Sequence, residues 1–70
     1  AKSFQKLKIM VDLDIKATGD SLLAFAIRLA LYKKESPESI ITWIKSQATD
    51  NPKIMAEVIG EELTQTILNY

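Results

Sequence analysis

The sequence predicts a mainly α domain: an N-terminal β-strand followed by three helices, with the strand paired between two subunits. Three observations carry this. Residues 6–16 alternate apolar and polar without a break, which is the period of a strand. The rest of the chain carries apolar residues at helical spacing, divided by Ser-Pro and Asn-Pro start signals. No second segment could pair with the strand inside the chain, so its partner edge belongs to another copy. The 70 residues make a single small domain, and a lone core of that size supplies only about 3–5 kcal/mol. There is no cysteine and no histidine. Disulfides, thiolate metal sites and the commonest general base are therefore ruled out, and a partner subunit is the stabilising device left over.

In the strand, Leu7, Ile9, Val11, Leu13 and Ile15 share one face, and Lys6, Lys8, Met10, Asp12, Asp14 and Lys16 share the other. Antiparallel pairing of two copies about Met10 sets Lys6 against Asp14 and Lys8 against Asp12. On the other face Leu7 meets Leu13 and Ile9 meets Val11. Opposite charges so placed contribute roughly 0.2–1 kcal/mol each, and the two-fold axis counts every pair twice. The alternative fold is an all-α four-helix bundle, because Phe4, Leu7, Val11 and Ile15 also form a stripe at helical spacing. That arrangement leaves Ile9 and Leu13 on the opposite side and sets Asp14 on the apolar one.

Ala17-Thr18-Gly19-Asp20 reads as a turn, with Gly19 free to take positive φ. Asp20 or Ser21 then caps a helix to about Glu35, closed by Lys33 and Lys34, where cations suit the helix dipole. Leu22, Leu23, Phe25, Ile27, Leu29, Leu31 and Tyr32 surround this helix, with only Arg28 interrupting. A helix apolar all round must be covered on several sides, so Phe25 and Leu29 join the expected dimer interface. Ser36-Pro37-Glu38 is a strong start signal for the next helix, which runs to about Ala48. Ile40, Ile41 and Ile44 form its inner face. Trp43 sits at the edge of that stripe, where it either finishes the core or serves as a partner-binding residue, a role tryptophan often fills. Asn51-Pro52 opens a last helix to about Asn69, with Met55, Ile59, Leu63 and Ile67 at i+4 spacing. Gly60 inside it costs about 1 kcal/mol relative to alanine, a cost that close approach of another helix would explain.

Three short resemblances bear on function. Gly19-Asp20-Ser21-Leu22 resembles the first block of the Gly-Asp-Ser-Leu hydrolases, whose chemistry needs a histidine base that this chain lacks. Asp20-Ser21-Leu22 and the apolar residues after it resemble the start of the second helix of acyl and peptidyl carrier domains. That resemblance implies a phosphopantetheine arm on Ser21, whereas a plain N-cap accounts for the same residues. A strand followed by two helices over residues 7–48 resembles the ribbon-helix-helix DNA-binding regulators, and implies a paired ribbon lying in the major groove. The polar face of this ribbon would carry Asp12 and Asp14 toward phosphates, against the charge that DNA binding needs.

Net charge is zero, with seven basic and four acidic residues in 1–35 and two and five in 36–70, so the halves carry +3 and −3. No segment reads as a membrane span or secretory leader, and a cytoplasmic location is expected. The paired carboxylates Asp12/Asp14 and Glu61/Glu62 lack the loop spacing of a cation site. No catalytic residue, metal site or cofactor is expected. The sequence points to a non-enzymatic homodimeric module, a small regulator, inhibitor or adaptor that binds another protein. A DNA-binding regulator is the alternative, with nucleic acid the disfavoured partner and no membrane involved.

Overall fold

An extended segment at 6–16 with no partner would leave a whole edge of backbone N–H and C=O groups unpaired. In the computed structural model these groups close on themselves, and Lys2–Lys16 form helix α1. The structure describes residues 2–17, 19, 21–33 and 36–70, the side chain of Lys2 excepted. Four more helices follow: α2 (Leu22–Tyr32), α3 (Pro37–Asp50), α4 (Pro52–Ile59) and α5 (Glu61–Leu68). The described residues contain no strand. The domain is mainly helical as expected, and the all-α alternative replaces the strand-bearing one. The ribbon resemblance rested on that strand and goes with it.

Each boundary has a local cause. Ser21 is extended, and its hydroxyl accepts from the Ala24 backbone N–H at 3.0 Å, capping α2. Lys33 ends that helix by returning its N–H to Leu29 and Leu31. Asp20, the other candidate cap, and Lys34 and Glu35 at the expected helix end lie outside the described residues, as does Thr18 of the expected turn. Ser36 caps α3 through the Ser39 N–H at 3.2 Å, with Pro37 in the first turn. Asn51 stands at the N-cap of α4 ahead of Pro52, but its side chain makes no capping bond.

Two glycine expectations are corrected. Gly60 does not sit within a continuous last helix. It takes φ +90° and ψ 154°, a region that only glycine occupies freely, and there it separates α4 from α5. A methyl group on it would meet nothing within 4 Å, so close helix approach is not its reason. Gly19 has equally open surroundings and does not take a positive φ.

The core is built from one side of each helix. Ile9 and Leu13 of α1 meet Ile27 of α2, Ile40, Ile41 and Ile44 of α3, Met55 and Ile59 of α4, and Leu63 and Ile67 of α5. The expected inner faces of α3 and of the last two helices are therefore in place. α1 rests chiefly on α3 and α5, and α4 and α5 pack on each other across Gly60. Thr64 is the buried polar residue among those described, and its hydroxyl donates to the Gly60 carbonyl at 2.7 Å. The described residues contain no buried side-chain polar atom without a partner.

Candidate functional site

The packed interior leaves an unusual exterior. On α2 the fully buried side chains are Ala24 and Ile27, while bulky residues point outward. Leu22 and Tyr32 are each 84% exposed, and Phe25 and Leu29 lie between them on the same outer row. Large side chains outside and a small one inside invert the usual arrangement. α1 repeats the theme, with Phe4, Leu7, Val11 and Ile15 all exposed. From these exposures and ordinary side-chain areas, each row of four leaves on the order of 400–500 Å² in solvent. That is within the about 300–600 Å² of the largest patch on a typical monomer, and this chain has two such rows.

The outer row of α2 runs into a pair of grooves against α3. Trp43, 36% exposed, stands opposite Ala26 and divides them. The larger groove, about 440 Å³, is lined by Leu22, Leu23, Ala26, Trp43, Gln47 and Ile54. The smaller, about 330 Å³, is lined by Ala26, Leu29, Ala30, Lys33, Ile40 and Trp43. The floor is small because position 26 is alanine, and the wall is tall because position 43 is tryptophan. Arg28 lies beside Phe25, Leu29 and Tyr32 on the outer side, so the cations Arg28 and Lys33 border a mostly apolar surface, with Ser21, Gln47 and Asn51 as polar residues of the larger groove. A third recess, between α1 and α5, is about 420 Å³ and is edged by Lys8, Asp12, Lys16 and Glu62.

A polar cluster holds the other end of α1. One oxygen of Glu38, Oε1, accepts from the Lys6 ammonium at 2.7 Å and from the Tyr70 hydroxyl at 3.0 Å. The hydrogen bond to Glu38 raises the Lys6 pKa above its ordinary value. Burial, and then the bond to Glu38, raises that of Tyr70. Both groups hold their protons more firmly than usual, which suits a structural clasp. No group of three or more acidic, histidine or cysteine side chains that could hold a metal ion occurs among the described residues. No helix there is long and apolar enough to cross a membrane.

The expected interface residues on α1 divide three ways. Ile9 and Leu13 are core residues, and Met10 packs partly against them, so these three serve their own subunit. Lys6 is engaged with Glu38. Leu7, Lys8, Val11 and Asp14 are exposed, and Asp12 is half-buried. Phe25 and Leu29 are exposed on α2, and Trp43 is part of a groove rather than a core plug. Sequence reasoning did not single out Leu22, Tyr32 or Ile54. The 22, 25, 29, 32 spacing was the readable signal for the first two, and Ile54 is brought to Trp43 only by the turn at Asn51-Pro52. Comparison with family models, curated proteins and solved structures finds no match for this chain.

Proposed function

We propose that this chain is a non-enzymatic interaction module that binds another protein through the α2–α3 grooves on either side of Trp43. The observation that carries the reading is the outward row Leu22, Phe25, Leu29 and Tyr32 running into those grooves while the core is complete without it. Full burial of an aliphatic or aromatic side chain stabilises by about 1.5–3 kcal/mol, so covering this row at its observed exposure is worth on the order of 5 kcal/mol. A domain of this size has only about 4–10 kcal/mol of stability in total. An apolar surface of that value in water is a cost that a bound partner removes. The fitting partner is an amphipathic helix whose apolar side chains enter beside Trp43 and whose acidic flank meets Arg28 and Lys33.

Support from chemistry points the same way. The chain offers no histidine or cysteine, and the raised pKa values of Lys6 and Tyr70 belong to a side-chain clasp rather than to a base or nucleophile. Ser21 serves as a helix cap. The test uses Ala26→Glu, which plants a charge on the groove floor, alongside the parent chain in affinity capture from its own cells. The expected result is a protein retained by the parent and lost with Ala26→Glu. Adding the purified partner should also shift the emission of Trp43, the only tryptophan. A partner held equally by both chains, or none held by either, sinks the reading.

A further inference from the structure

We infer that the outer face of α1 is a self-association surface, and that two copies pair these helices antiparallel about the level of residue 10. Unlike the groove proposal, this rests on α1 alone. At 100° per residue, Phe4, Leu7, Val11 and Ile15 fall within an arc of about 80°. Ile9 and Leu13, which α1 gives to its own core, point roughly 175° away. The outer row is therefore not needed to complete the subunit, and all four of its side chains are half exposed or more.

Charge decides what covers it. Lys8 and Asp12 lie on the same flank of the row, and neither has an ion-pair partner among the described residues. A two-fold axis perpendicular to two antiparallel helices keeps like flanks together and brings level i of one helix beside level 20−i of the other. Lys8 then faces Asp12 of the second copy, and the symmetry makes the pair twice. The same operation sets levels 4, 7, 11 and 15 against 16, 13, 9 and 5. The apolar side chains interleave without any two meeting head on, as knobs in holes require. A parallel pair would instead set this flank against the opposite one, which carries Asp14 and no cation, and would lose the match of Lys8 with Asp12. The occupant that matches both the apolar row and its charged flank is this same helix.

Size sets the strength. Two rows together bury about 1,000 Å², the lower bound for a specific interface, so the dimer is a weak one. Sedimentation equilibrium of the full chain from about 1 μM to 1 mM spans the range where such an interface populates both species. The expected outcome is a reversible dimer that Val11→Glu abolishes, with the helical spectrum unchanged because Val11 is outside the core. Lys8→Asp should weaken the dimer by about three- to tenfold, and adding Asp12→Lys to it should restore the original strength. Ala26→Glu should leave the dimer untouched, which keeps this result apart from the groove reading. A monomer at every concentration overturns the inference. So does a dimer that survives Val11→Glu, or a double charge variant as weak as the single one.

Discussion

Replacing Gly60 with alanine tests the reasoning about the junction of α4 and α5 most directly. The backbone there is at φ +90° and ψ 154°, and an added Cβ would meet no atom within 4 Å. Crowding contributes nothing, so the whole effect is the cost of holding an L-residue in a glycine region, about 1–3 kcal/mol. Against a total of about 4–10 kcal/mol for a chain of this length, that is a large fraction. It should lower the melting temperature by about 4–8 °C per kcal/mol. Urea unfolding followed by circular dichroism reads it as a lower midpoint with an unchanged slope. Gly19→Ala is the internal control: it has the same open space but no positive φ, and should be neutral or stabilise by about 0.4–1 kcal/mol. D-alanine at position 60, accessible by chemical synthesis of a chain this short, should recover the stability that L-alanine loses. Equal effects of L- and D-alanine at position 60 would refute the account, because handedness is its only ingredient.

Two further outcomes follow from the core and from the clasp. Ile44, fully buried in the middle of α3, should lose about 2–5 kcal/mol as Ile44→Ala, enough to leave the variant partly unfolded at 25 °C; near-parent urea stability would mean that α3 is not central. Lys6 and Tyr70 both have pKa values raised above their ordinary 10.5 and 10.0. Groups shifted upward stabilise the fold fully below their unfolded pKa values and lose that contribution as pH rises through the folded ones. Stability should therefore fall above about pH 10, and Glu38→Gln should flatten that fall. Superimposable alkaline curves for the two proteins would exclude the clasp.

What could be read beforehand, and what could not, follows from how each pattern maps onto space. α3 was legible because Ser36, Pro37 and Glu38 mark its start, and Ile40, Ile41 and Ile44 agree on a single face. Met55, Ile59, Leu63 and Ile67 were legible as core for the same reason, although a backbone break passes through their row at Gly60. α1 was misread because an unbroken alternation over 7–15 is geometrically also two rows at i+4 spacing. Leu7, Val11 and Ile15 make one, and Ile9 and Leu13 make the other, about half a turn away. A strand and a helix apolar on opposite sides therefore share one written pattern. The missing pairing partner decides between them, since a helix satisfies its own backbone. The α2–α3 grooves were out of reach because they depend on where Ala26, Trp43 and Ile54 meet, which no single segment encodes.

A helix with oil on two sides poses a folding problem of its own, because either side would satisfy the interior. Rolling α1 half a turn would bring Phe4, Leu7, Val11 and Ile15 inward. It would also carry Lys8 and Asp14 toward the interior, and would swing Lys6 away from the oxygen it shares with Tyr70. The rim contact at Glu38 thus acts as a key that admits one rotation and rejects its mirror. Its worth lies less in added stability than in choosing which hydrophobic side remains in water.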